Sequence, residues 1–127
     1  MNKPIEHKHL IVRAEVDNPP TDPEYIKKWV ATLVKKIGMK LLPLPANPIA
    51  GYVDTPGNRG ATCVAIIETS HVALHVWDEA RPALFQLDVY TCSALELIDV
   101  FDHMTEFGVR SKSVLFIDRE RGIKKVL

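Results

Sequence analysis

The chain has 127 residues, 46% hydrophobic and 25% charged, with sixteen basic residues against sixteen acidic ones. That length is one domain's worth and buries a core without staples, so residues 1–127 are expected to fold as a single domain. Zero net charge gives no field to gather nucleic acid or an anionic membrane, no apolar run reaches the ~20 residues of a membrane span, and the opening MNKPIEHKHL lacks a signal peptide's apolar centre, so a cytoplasmic protein is expected.

KHLIVRAEV (8–16) alternates as a first strand should, and NPPTD breaks it. Thr21 with Glu24 reads as a capping box, Pro23 suits a first turn, and Tyr25, Ile26, Trp29, Val30 and Leu33 recur at helical spacing until Gly38. MKLLPLP (39–45) reads as a short or edge strand, because Pro43 and Pro45 each remove a ladder donor. ANPIAGYVDTPGNRG (46–60) has the composition of a long surface loop. Strands are expected over 62–68, 71–77 and 84–92, the first two joined tightly enough for a hairpin. Ser93 with Glu96 reads as a second capping box, and Leu97, Val100, Phe101, Met104 and Phe107 stripe a helix that Gly108 ends. SVLFIDRE (113–120) closes the series. This order predicts an α+β two-layer sandwich: an antiparallel sheet with both helices on one face. Apolar residues on both parities of the central strands further predict a second subunit over the other face.

Residue by residue, the chemistry is plain. Ser70 sits at a strand end, where serine is ordinarily a turn residue. His71 and His75 lie roughly 13 Å apart on an extended strand, and His7 with His9, about 7 Å apart, lack a third ligand, so no metal site is expected and the latter pair reads as solvated. Cys63 and Cys92 are free thiols, the first read as a packed small residue. Trp29 and Trp77 read as core or interface anchors, Arg119 and Arg121 beside Glu120 as a solvated surface cluster, and Asp88, sharing a parity with Gln86, Tyr90 and Cys92, as a weak candidate to line a site.

As a set, ETSHVALHVW (68–77), Glu79 and LDVYTC (87–92) are more specific. With KHLIVRAEV at the start and DRERG (118–122) at the end, they resemble the small prokaryotic pyruvoyl-dependent S-adenosylmethionine decarboxylases. The resemblance implies self-cleavage between Thr69 and Ser70, in which the Ser70 hydroxyl attacks the preceding carbonyl and elimination leaves a pyruvoyl cofactor. That ketone would form a Schiff base with the substrate amine and act as electron sink, with no metal, in an enzyme of spermidine biosynthesis. It further implies His75 as the processing proton acceptor, Thr62 as a processing hydroxyl and Cys92 as the proton donor of decarboxylation. Substrate binding falls to Glu79, which would hold the ribose, with Tyr52 and Glu68 as further candidates. Extended strands separate Ser70 from His75 by about 16 Å and from Thr62 by up to ~27 Å. The expectation is therefore a homodimer whose sites take Ser70 and Cys92 from one subunit and Thr62, His75 and Glu79 from the other.

Three positions depart from the family pattern. Thr69 stands where the family has glutamate, and Glu68 is one place early, which on a strand means the opposite face. The aromatic expected near Asp54 is missing, leaving Tyr52 to stack. The turn DEARPA, with Arg81, is longer than the family's. These changes touch nucleoside recognition rather than the Ser70, His75 and Cys92 set, so two alternatives accompany S-adenosylmethionine: a plain amino acid such as arginine or ornithine, or a homologue that binds a ligand or partner without processing.

Overall fold

The computed structural model describes residues 5–127. Strands β1 (Lys8–Val16), β2 (Ile49–Val53), β3 (Gly60–Ile67), β4 (Ser70–Trp77), β5 (Ala83–Thr91), β6 (Val109–Asp118) and β7 (Lys124–Lys125) form one antiparallel sheet in the order β2-β3-β4-β5-β1-β6-β7. Helices α1 (Pro23–Lys36) and α2 (Leu97–Met104) pack on one face, giving the α+β sandwich expected from element order.

Strand parity decides which side chains enter the core. Leu10, Val12, Ala14 and Val16 of β1, Val72, Leu74 and Val76 of β4, and Phe85, Leu87 and Val89 of β5 are buried beneath Ile26, Trp29, Val30, Leu33 and Val34 of α1. Each large side chain so buried contributes roughly 1.5–3 kcal/mol. The helices are locked by a reciprocal pair: Trp29 Nε1 donates to the His103 carbonyl (3.1 Å), and His103 Nε2 meets the Trp29 carbonyl (2.8 Å) with the rings stacked 4.4 Å apart. Burial holds the His103 pKa below its ordinary value.

Both capping boxes are corrected. Asp22, not Thr21, caps α1, its carboxylate accepting from the Glu24 amide (3.0 Å) because Pro23 occupies the first helical position. Ser93 caps nothing: its carbonyl accepts from the Thr91 hydroxyl (2.7 Å), and α2 starts only after Glu96. The loop expected over 46–60 contains β2, an edge strand that starts after Pro48 and so tolerates it. MKLLPLP is no strand beyond a bridge from Leu41 to Ile67. Strand β6 begins four residues earlier than expected because Gly108, at φ +66°, turns the chain directly into it. Strand β7 is two lysines without apolar alternation, and no sequence signal marks it.

Two backbone positions set the hairpin that carries the candidate residues. A Cβ on Gly60 would sit 1.7 Å from the Val76 carbonyl oxygen, so glycine is required for β3 to start against the end of β4. At the other end the β3–β4 turn is just Glu68 and Thr69, with Ile67 opposite Ser70. Thr69 has φ +58°, a left-handed conformation that a β-branched side chain adopts only under strain.

Candidate active site

The expected residues form two groups, one at each end of this hairpin. At the turn, the Glu68 carbonyl gathers three donors: Thr69 Oγ1 (2.7 Å), Ser70 Oγ (3.3 Å) and Cys92 Sγ (3.2 Å). Cys92 follows β5 and Ser70 opens β4, so their meeting is a consequence of register rather than of sequence spacing. The Glu68 amide is anchored separately to the Lys40 carbonyl (3.2 Å), which holds the turn against the edge of the sheet. Glu68 thus brings its main-chain carbonyl to this group. Cys63 is buried on the helix side and its thiol is pushed up to about 11, leaving Cys92 as the thiol that chemistry can use.

At the open end, Thr62 lies directly opposite His75, and Thr62 Oγ1 is 2.7 Å from His75 Nδ1. His75 has no second hydrogen bond among the described residues, so Nε2 is the ring nitrogen left to exchange a proton. Around this pair, Trp77 Nε1 donates to Asn58 Oδ1 (2.9 Å), and Val53, Gly60, Ala61 and Val76 complete a cavity of about 190 Å³. Trp77 therefore lines this cavity. Trp29 is the core anchor expected. His75 also borders a second hollow of about 240 Å³ on the open face, with Ile11, Ala73, Gln86 and Asp88.

Glu79 and Tyr52 belong to the open end too, though each is already engaged. Glu79 accepts from the amides of Gly57 (3.2 Å) and Arg59 (3.1 Å), and these bonds hold its carboxyl below the usual range. Tyr52, on β2 rather than in a loop, donates to the Asp78 carboxylate (2.9 Å) and keeps its ring exposed. Arg59, bonded to Asp54 (2.7 Å), and Asn58 were not expected here. Their signal was hidden because only the β3–β4 register, continued by the Asp78 amide bonding to the Arg59 carbonyl (3.1 Å), brings 54–59 beside 77–79.

The chain does not itself bring the two ends together. Ser70 and His75 are five positions apart on β4, about 16 Å of extended backbone. The side-chain parities also differ: Ser70 shares that of buried Val72, whereas His75 is on the open face.

Among the described residues, the donor atoms of His9, His71 and Asp88 lie within 4.8 Å of one another, supplying the third ligand that His9 lacked in sequence. His9 is not solvated: Nε2 is 2.6 Å from Asp88 Oδ1, and Nδ1 is 3.3 Å from Arg119. Arg119 is exposed, as expected, and its guanidinium lies 4.3 Å over the Tyr90 ring. A guanidinium only donates, so Nδ1 accepts and the proton of the neutral ring sits on Nε2, directed at Asp88. A metal on Nε2 would require the opposite tautomer, with an N–H facing the guanidinium; as it stands, His9 is hydrogen-bonded between Arg119 and Asp88, and His71 faces the same carboxylate at 3.8 Å without a hydrogen bond.

Comparison with known proteins gives a consistent picture. The profile of the family described as S-adenosylmethionine decarboxylase matches residues 8–120. The chain is 28% identical over 103 residues to an S-adenosylmethionine decarboxylase proenzyme of Methanococcus maripaludis, spanning 80% of this chain and 75% of that one. It is 29% identical over 109 residues to an arginine decarboxylase proenzyme of Aeropyrum pernix, spanning 80% and 73%. In fold it matches the crystal structure of the adenosylmethionine decarboxylase from Aquifex aeolicus with a TM-score of 0.70 at 22% identity, over 99% of this chain and 98% of that one.

Proposed function

Since this chain belongs to the S-adenosylmethionine decarboxylase family, we propose that it is a proenzyme that cuts itself between Thr69 and Ser70 and then decarboxylates S-adenosylmethionine for spermidine synthesis. The observation that carries this reading is the turn itself. A strained Thr69 precedes a serine whose hydroxyl, with the thiol of Cys92, points at one exposed carbonyl. In the cut, Ser70 Oγ bonds to the Thr69 carbonyl carbon, the Thr69–Ser70 C–N bond breaks, and the nitrogen takes up a proton, leaving an ester. Opening that bond releases the left-handed threonine, worth about 1–2 kcal/mol. His75, with Nδ1 held by Thr62, accepts the α-proton of residue 70 as the ester leaves as the carboxylate of Thr69, and the resulting dehydroalanine tautomerises to an imine that takes up water and releases ammonia, leaving the ketone.

The pyruvoyl group made in this way supplies an electron sink for decarboxylation. The residues fit it: Ser70 is the first residue of β4, so the cut would leave residue 70 as a new terminus at the end of the strand. Cys92, beside residue 70, is placed to return a proton to the substrate α-carbon.

A homodimer completes the reading. Since Ser70 and His75 stand about 16 Å apart along one strand, each site takes Ser70 and Cys92 from one subunit and Thr62, His75 and Glu79 from its partner. The cavity of about 190 Å³ around Thr62 and His75 is below the ~300 Å³ at which ligand pockets begin, as a half-site would be. Ile11, Val64 and Ile66, 39%, 42% and 46% exposed on the open sheet face, give a second copy apolar surface to cover.

Arginine is the second reading, favoured by the Aeropyrum pernix relative and by the carboxylates gathered at the open end, Asp78 on Tyr52 and Asp54 and Glu79 on Arg59. The test is mass and turnover together. The purified chain of 127 residues is expected to yield fragments of 69 and 58 residues and to release carbon dioxide from S-adenosylmethionine faster than from arginine or ornithine. A preference for arginine would reassign the substrate, and an intact, inactive chain would refute the enzyme.

A further inference from the structure

The chain of polar side chains on the open face has no part in the steps above, yet it ends beside the bond they cut. Across three adjacent strands, His71 of β4 lies opposite Tyr90 of β5, which lies opposite His9 of β1. Arg119 covers Tyr90 and donates to His9 Nδ1, and His9 Nε2 holds Asp88 Oδ1 at 2.6 Å. The other carboxylate oxygen of Asp88 is 3.8 Å from His71 Nε2. His71 is thereby confined between Asp88, the Tyr90 ring at 5.7 Å and the edge of the His9 ring at 6.2 Å.

His71 is the residue that follows Ser70. In the uncut chain the Glu68–Thr69 turn ties down the start of β4. Once that turn is severed, residue 70 keeps a ladder partner on one side only, Ile67, because pairing with β5 begins at His71 and Tyr90. A strand end held on one side frays.

We propose that Arg119, His9 and Asp88 form a positioning device that grips His71 after the cut and so keeps the group derived from Ser70 aligned with Cys92. The device rests on the self-cleaving reading above and acts on the product of cleavage. It is therefore silent while the turn is intact.

The test uses Asp88→Ala, Asp88→Asn and Arg119→Gln in the full-length protein, each also in a Ser70→Ala background that cannot be cut. Asp88→Ala is expected to self-cleave at a rate within about twofold of wild type but to lose about tenfold in kcat, with KM within about twofold, as expected of a misaligned reacting group. Amides 71–74 of the cut Asp88→Ala protein should exchange with deuterium about tenfold faster than in cut wild type, the readout being local opening of the strand end. In the uncut background the same substitution should leave them unchanged. Asp88→Asn, which still accepts from His9, should recover part of the loss, and Arg119→Gln, which disturbs only the far end, should show a smaller one. Wild-type kcat and exchange in cut Asp88→Ala would overturn the proposal alone, as would equally fast exchange in the uncut background. A wild-type chain that stays whole would overturn the proposed function along with it.

Discussion

The two ends of the β3–β4 hairpin face different demands. At the turn, a β-branched residue is held left-handed and three donors crowd one carbonyl, an arrangement with strain to release. At the open end, Thr62 is paired with His75, Trp77 with Asn58, and Glu79 with two amides, so the geometry is fixed and nothing is strained. In the proposed reaction one end breaks and the other holds a proton acceptor still. That division explains why a single sheet keeps them about five residues apart: an acceptor beside the turn in the same chain would share its disorder once the turn opens.

Ser70→Ala should have the largest effect. It removes the attacking hydroxyl, so the chain is expected to stay whole by intact mass and to show no decarboxylation, while folding and associating as before. Residual cutting at the same bond would show that the turn opens by another route. His75→Ala tests the opposite end and should slow cleavage by about 10²–10⁴-fold, the range of a general base. Co-expressing Ser70→Ala with His75→Ala chains sharpens the comparison, because a shared site pairs the intact Ser70 of one with the intact His75 of the other. Cleaved His75→Ala chains in the mixed dimer are then expected. Their absence would mean that each chain serves itself. Cys92→Ala should separate the two reactions, leaving cleavage near wild type while decarboxylation falls about 10²-fold.

A smaller effect is expected from Thr69→Gly. Glycine adopts positive φ without penalty, removing about 1–2 kcal/mol of strain while costing about 0.5–1 kcal/mol in chain entropy. Measured in the uncut Ser70→Ala background, stability to urea should rise by up to about 1 kcal/mol. With Ser70 present, cleavage should slow by about 5–30-fold, the equivalent of 1–2 kcal/mol lost from the driving strain. An unchanged rate would mean that the strain is incidental.

The fold was legible because it rests on alternation and helical stripes: β1 was bounded correctly, and Gly38 and Gly108 marked where helical turns stop. What failed was local and had local causes. The Thr21 and Ser93 patterns matched a capping box whose hydrogen bonds Asp22 and Thr91 had already redirected. An edge strand rich in glycine and flanked by proline read as loop. In the site, Ser70, His75, Cys92 and Thr62 were singled out only by the resemblance to a family, whereas the partners of Glu79 and the chain from Arg119 to His71 depend on register across three or four strands. Register is a tertiary property: Asp88 and His9 are 79 positions apart.

The last prediction concerns the open end alone. Backbone amides of Arg59 and Gly57 favour the charged form of Glu79, so its folded-state pKa lies below the ordinary carboxyl value. The stabilisation is therefore complete above the unfolded pKa and is lost as pH falls through the folded one, because a protonated carboxyl gives up much of its hold on those amides. Urea midpoints taken from pH 6 to pH 3 should decline, and Glu79→Gln, which keeps an acceptor but cannot titrate, should decline less. Both measurements belong in the uncut Ser70→Ala background, where the 54–59 turn is the only part of the hairpin being tested. Equal slopes would mean that the two amides hold Glu79 too weakly to fix the open end, and the contrast with the turn would then rest on Thr62 and His75 alone.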